Sequence, residues 1–203
     1  MRKAELDWKL TMSIAILGWG SLIWCPGSLQ MKSCWHRDGP ALPVEFARIS
    51  NDARLTLVIH PGSVDQRTLW ATAVSEDLDA VRQNLRGREG ADSCAIHNAT
   101  AGGQVSDGVS SQVREAIAGW LRDHRELAGC VWTGLASNWS EKQGSDFSVE
   151  SAVRYLRDLQ NPMRAREYIQ NTPEQIQTAV RAAAREQLGW RDAVLSSTLF
   201  AAD

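Results

Sequence analysis

The stretch Ile14–Trp24 reads I-A-I-L-G-W-G-S-L-I-W. Ile14 to Leu17 form a short apolar run of the kind a buried strand uses. Gly18, Gly20 and Ser21 break that run. Leu22, Ile23 and Trp24 resume it, and Cys25-Pro26-Gly27 ends it. Glycine tolerates φ > 0 and lets backbone approach a ligand closely. Such a turn can also aim successive N–H groups into one anion-binding concavity. The stretch therefore predicts a buried strand delivering a glycine-lined loop to a pocket, in which a Cβ at Gly20 would obstruct the ligand. The plainer reading is a tight turn between two core segments.

Working outward, Leu42–Ser50 alternates, with Val44 and Phe46 on one face and Glu45 and Arg48 exposed or pocket-facing. Arg54–His60 also alternates and is rich in β formers, and Asn51-Asp52-Ala53 between them is a hairpin connection. A further strand is expected over Leu69–Val74. Ser75-Glu76-Asp77-Leu78 is a capping signal for a helix that places Leu78, Val81, Leu85 and Arg88 on one face and ends near Gly87 or Gly90. Ala95–Ala99 and Cys130–Leu135 read as short strands, Gln112–His124 as a helix and Ala136–Gly144 as a polar loop. Ser148–Leu159 and Arg164–Gln170 predict helices. Thr172 and Pro173 predict the N-cap and first turn of a third helix running to Leu188. Residues 1–12 read as a mobile or short helical lead-in. These elements suggest a single domain over 1–203, with a β-rich body at 13–147 and a helical extension at 148–203 packed on it.

A chain of 203 residues suits one core. A formal charge of −2 argues against a general nucleic-acid binder, which needs a basic face. No apolar run approaches the roughly 20 residues of a membrane span, and Ile14–Leu17 is too short for a signal sequence. A cytoplasmic location with no membrane partner is therefore expected. Cys25, Cys34, Cys94 and Cys130 lack C-x-x-C spacing and read as reduced thiols, with a Cys25–Cys34 bridge conceivable. His36, His60, His97 and His124 are scattered, with no pair at metal-ligand spacing, so no metal is expected. His60, ending a strand before Pro61, is the histidine best placed to line a pocket. Arg48 and Arg54 flank the hairpin, either solvated or facing an anionic substrate. Trp19, Trp24 and Trp35 cluster around the glycine loop as an apolar pocket wall, and Trp139 is placed at a pocket rim.

The loop G-W-G-S-L-I-W resembles the G-Y-G-S-L-I-W loop of the ChaC-like branch of the gamma-glutamylcyclotransferase family, with Trp19 in place of the usual Tyr. In that branch a strand leads into an acidic-capped helix ending in L-x-x-R-E. Leu85, Arg88 and Glu89 reproduce that ending, in the same order after the loop. The resemblance covers about residues 13–99. It implies an α+β fold, a small mixed β-barrel of gamma-glutamylcyclotransferase-like type with flanking helices, here carrying a helical C-terminal extension. It also implies a cofactor-independent enzyme that cyclises a γ-glutamyl amine or amide to 5-oxoproline. Glu89 would be the general acid/base, and Gly18, Trp19, Gly20, Ser21 and Leu22 would hold the small-molecule substrate. The H-R-G-T-P-E stretch of glutathione-acting members is replaced by Arg48-Ile49-Ser50-Asn51-Asp52-Ala53-Arg54. That replacement, and the unmatched tail around Ala165–Ile169, argue against glutathione and for a different γ-glutamyl amide, with an apolar amine suited to the tryptophans. A non-catalytic small-molecule-binding or protein-interaction module on the same fold is the competing reading.

Overall fold

In the computed structural model, which describes residues 12–90, 95–193 and 195–201, strand β1 (Ser13–Gly18) lies inside a four-stranded sheet of order β5-β1-β7-β6. It pairs antiparallel with β5 (Leu69–Thr72) and parallel with β7 (Leu127–Thr133). Strand β7 pairs antiparallel with β6 (Ile96–Thr100). With neighbours on both edges and packing on both faces, β1 takes a continuous apolar run rather than an alternating one. Ile14, Ala15, Ile16 and Leu17 are all buried. Helix α1 (Leu78–Glu89) packs across β7 and β6, with Val81 and Leu85 on its buried face. Asp77 caps α1 by accepting from the N–H groups of Asp79 and Ala80. The lead-in before Met12 and the Cys94 thiol lie outside the described residues.

A second sheet of order β3-β2-β4 contains β2 (Ala41–Ile49), β3 (Leu55–Ile59) and β4 (Asp65–Arg67). The β2–β3 hairpin turns at Asn51–Ala53, with Ala53 in the left-handed region at φ 63°. A β-bulge between Phe46 and Arg48 makes Ala47 an extra residue and resets the alternation along β2. Among the described residues the two ladders do not join, so the expected barrel is not closed. One of the two open seams lies at Thr68, the single residue between β4 and β5. Its hydroxyl donates to the Pro40 carbonyl at 2.7 Å, and its own carbonyl accepts from Gly39 N–H. The chain thus turns a corner from one sheet to the other.

The remaining helices are α2 (Ser111–Asp123), α3 (Trp139–Gln143), α4 (Val149–Asp158), α5 (Met163–Gln170) and α6 (Ala179–Leu188). Helix α3 stands where a polar loop was expected. The Asn138 side chain before it mimics a strand partner, accepting from Ile49 N–H at 2.8 Å and donating to the Ile49 carbonyl at 2.9 Å. Trp139 is buried against Phe147 and Tyr155, a core position rather than a rim. The expected helix start at Thr172 is also displaced. Thr172 donates to the Tyr168 carbonyl and closes α5, whereas α6 begins after Thr178. Among the described residues no helix is long and apolar enough to cross a membrane.

Two buried charges explain that displacement. Arg181 is fully buried, and its guanidinium donates to the carbonyls of Thr172, Pro173 and Ile176, each at 2.6 Å, and to Asp192 at 3.0 Å. The carbonyls of Thr172, Pro173 and Ile176 are therefore satisfied without being helical. Glu45, expected to be exposed or pocket-facing, is buried at the N-terminus of α6. It accepts there from the N–H groups of Ala179 and Val180, where the helix dipole favours an anion. Burial pushes its carboxyl up, against the pull of these donors.

Replacing Arg181 by Met should cost about 3 kcal/mol or more in a denaturant titration, because it leaves buried carbonyls unpaired. Arg185→Met removes a partly exposed partner of the same Asp192 and should cost under about 1 kcal/mol. Equal costs would sink the assignment of Arg181 as the organiser of this segment.

Candidate active site

Strand β1 ends at Gly18, and the chain enters a turn in which Ile23 N–H bonds the Gly20 carbonyl and Cys25 N–H the Ser21 carbonyl. The two glycines are required by close approach, as expected, but what approaches is protein side chains rather than a ligand, and neither glycine has a positive φ. A Cβ on Gly18 would lie 2.8 Å from the buried ring of Trp35. A Cβ on Gly20 would overlap the hydroxyl oxygen of Tyr168. Trp19 is buried and its indole N–H donates to the Leu57 carbonyl at 3.3 Å, tying the loop to strand β3 of the other sheet.

Between loop and hairpin lies a cavity of about 490 Å³. One wall is Gly18–Leu22, another is the β2–β3 hairpin with Arg48 and Arg54, and the end of α1 contributes Arg88 and Glu89. Tyr168 of α5 reaches in from the helical extension, and Thr133 of β7 also lines the space. The Thr133 hydroxyl is buried and has no hydrogen-bond partner among the described residues.

Glu89 is the last residue of α1, and Gly90 caps the helix in the left-handed conformation at φ 59°. Arg88 donates to Glu89 at 2.7 Å, and the two side chains are only 14% and 17% exposed. The other end of the Arg88 guanidinium donates to the Cys25 carbonyl and, at 3.4 Å, to the Ser21 hydroxyl. Burial pushes the Glu89 carboxyl above its ordinary range, and the adjacent Arg88 charge and hydrogen bond partly oppose this. Its place at a helix C-terminus disfavours the anion further. Burial also pushes the Tyr168 phenol up, and the Glu89 charge adds to that shift. Among the described residues the N–H groups of Gly20 and Leu22 have no acceptor. One cavity thus is lined by a residue whose carboxylate has raised proton affinity and by two loop residues whose N–H groups have no acceptor among the described residues. A proton acceptor next to donors for a developing oxyanion is an arrangement suited to acyl transfer.

The other expected residues divide. Arg48 and Arg54 line the cavity, but His60 does not. His60 lies in a separate cleft, with its ring 4.7 Å from that of Phe147 and its Nδ1 3.3 Å from the Ser63 hydroxyl, and burial lowers its pKa. Of the expected tryptophan wall, only Trp19 lines the cavity. Trp24 packs edge-on against Tyr168 at 5.2 Å, and Trp35 lies beneath Gly18. The Cys25 and Cys34 thiols are free, so the conceivable bridge is absent. Tyr168 was missed by sequence reasoning. Its signal was a tyrosine on the buried Ala165–Tyr168–Ile169 stripe of α5, where a phenol needs a polar destination.

Gly20→Ala should destabilise the fold by about 1–3 kcal/mol through overpacking against the phenol oxygen. Tyr168→Phe removes that oxygen and leaves its ring carbon at an ordinary 3.4 Å from the new Cβ. The double variant should therefore be more stable than Gly20→Ala alone, with a coupling of about 1–2 kcal/mol in a double-mutant cycle. Additive costs would show that the loop and Tyr168 do not meet. Comparison of the chain with protein-family models, curated proteins and solved structures gives no match, so the site is read from its own geometry.

Proposed function

We propose that the cavity cyclises γ-glutamyl amines or amides to 5-oxoproline with release of the amine, on a gamma-glutamylcyclotransferase-like fold. The observation that carries this reading is the Glu89 carboxylate, partly buried in the same cavity as the Gly18–Leu22 loop. Glu89 takes a proton from the α-ammonium of the glutamyl group. The freed nitrogen attacks the side-chain carbonyl, forming the C–N bond of a five-membered ring. The amide C–N bond then breaks: Glu89 returns its proton to the departing nitrogen, and the second proton, lost from the ring nitrogen as the lactam forms, ends on the freed amine, which leaves as an ammonium. The Gly20 and Leu22 N–H groups are suited to the transient oxyanion. Attack is intramolecular, so holding a folded conformer supplies much of the rate. Arg48, Ile49, Ser50, Asn51 and Arg54, from the stretch that stands where the resembled family has H-R-G-T-P-E, line the hairpin side of the cavity, which supports a role for this stretch in selecting the amine.

Glu89→Gln keeps the shape and loses the base. Release of 5-oxoproline from a panel of γ-glutamyl compounds should fall by about two to four orders of magnitude, with folding intact. Wild-type turnover in this variant would exclude Glu89 as the base. Binding without any release by the wild type would favour the non-catalytic module.

The raised proton affinity of Glu89 sets the acid side of the pH profile. The base acts only when ionised, so kcat/KM should fall on acidification, with its midpoint above the ordinary glutamate value of about 4.3. Arg88 holds that pKa down. Arg88→Gln should therefore move the acidic limb to higher pH, and a limb that stays in place or moves down would contradict the assignment.

A further inference from the structure

Beyond β5, the edge of the four-stranded sheet is finished by two short pieces of chain. His36 is bonded to Trp70 of β5 through both its N–H and its carbonyl. Lys32 and Ser33 are tied to β5 as well, through Thr72. Trp35 faces the other way. Its N–H donates to the Leu199 carbonyl at 2.9 Å, and its carbonyl accepts from Ala201 N–H at 2.9 Å. Trp35 and Phe200 thereby form a parallel bridge. The C-terminal segment thus covers a strand edge that would otherwise stand open.

The two ends of this segment are held differently. Upstream, Asp192 pairs with the buried Arg181 at 3.0 Å, and Ala193 N–H donates to the Gln170 carbonyl at 2.8 Å. The Gln170 side chain donates in turn to the Arg191 carbonyl at 2.6 Å. Downstream, Ser197–Leu199 make a single 3-10 turn, capped by Ser196, with no buried residue. Residues 196–201 dock through the two backbone bonds to Trp35 and through the Phe200 ring, which lies 4.3 Å beneath the Arg37 guanidinium. The Cys34 thiol adds a contact to the Thr198 carbonyl at 3.6 Å. A segment with few buried apolar contacts and exposed hydrogen bonds lies at the low end of local stability.

The residue that receives this segment supports the cavity. Trp35 is only 2% exposed, and the far edge of its ring lies against Gly18, where a Cβ would stand 2.8 Å away. Gly18 is the joint between β1 and the loop that lines the cavity. The backbone of Trp35 therefore takes its hydrogen bonds from the tail, while its ring carries the loop.

We propose that residues 196–201 act as a strap. They undock from Trp35 while the rest of the fold stays formed, and their docking holds the Trp35 ring under Gly18 and so keeps the Gly18–Leu22 turn in the shape that lines the cavity. Undocking leaves the N–H and carbonyl of Trp35 to water and removes Phe200 from Arg37. The neighbours of Trp35 then keep their ties to β5, but Trp35 loses its own. Nothing in this device depends on the reaction assigned to the cavity.

Native-state hydrogen exchange on the full chain, read amide by amide, tests the strap. The Trp35 and Ala201 amides should exchange together, about a hundredfold or more faster than the amides of β7, which is paired on both edges. Phe200→Ala weakens the docking and should speed exchange at Trp35 by about tenfold. It should also speed the Ile23 and Cys25 amides, whose bonds to the Gly20 and Ser21 carbonyls close the turn, and leave β7 unchanged. Arg37→Gln, at an exposed side chain, should act in the same direction and supplies the comparison if Phe200→Ala does not fold. Trp35 and Ala201 amides that exchange as slowly as those of β7 would show that the tail opens only with the whole molecule, and would overturn the proposal. So would variants that speed Trp35 but leave Ile23 and Cys25 as they were, because the strap would then not govern the loop.

Discussion

The Arg88 guanidinium donates to the Cys25 carbonyl and the Ser21 hydroxyl with one nitrogen and to the Glu89 carboxylate with the other. Two separate pieces of chain meet at this one cation: the strand-to-loop turn and the last turn of α1, which carries the acid. A carboxylate at the C-terminal end of a helix, largely out of water, is opposed by desolvation and by the helix dipole. Arg88 supplies the counter-charge that makes the position tolerable. By holding the glycine loop with the same group, it keeps the free N–H donors and the carboxylate in one frame.

The far side of that frame comes from the helical extension. Tyr168 fills the space left by the missing Cβ of Gly20, and Trp24 and Phe46 pack against its ring. Arg181 organises the extension internally by satisfying its loop carbonyls, and Glu45 joins the second sheet to it at the N-terminus of α6. The hairpin tip is held from the same direction, with the Tyr155 phenol donating to the Ala53 carbonyl and Arg164 reaching Asp52. The cavity is therefore shaped by the β body and the helical extension together, although only the body carries the recognisable loop.

What was legible in the sequence was local. Ile14–Leu17, the alternation around Asn51–Ala53 and the capped Leu78–Val81–Leu85 stripe declare strand, hairpin and helix by periods of 2 and 3.6. The Gly18–Leu22 loop and Glu89 were named as site residues, and the fold brings them to one cavity. What failed was settled by distant partners. Thr172 looks like an N-cap, but Arg181 satisfies the carbonyls that follow it. Asn138 looks like loop chemistry, but its amide acts as a strand edge for Ile49. Trp24 and Trp35 sit close to the loop in sequence, yet packing against Tyr168 and beneath Gly18 removes them from the cavity lining. Among the described residues the barrel is open at two seams, between β6 and β3 and at Thr68, whose hydrogen bonds to Gly39 and Pro40 turn the chain between β4 and β5.

The parallel pairing of β1 with β7 sets Ser13 against Leu127 and Ile16 against Val131. More than half the chain intervenes, whereas the β2–β3–β4 sheet is built from neighbours between Ala41 and Arg67. Closing so long a loop costs entropy before the contact returns anything, and contacts of this span slow folding. The order of assembly follows: the β3-β2-β4 sheet has its partners at hand, and the sheet that aims the glycine loop must wait for residues beyond 127. During synthesis from the N-terminus, Ile14–Leu17 therefore spends a long interval as an exposed apolar strand with one edge open. That is the stretch on which a growing chain is most vulnerable to pairing with another copy.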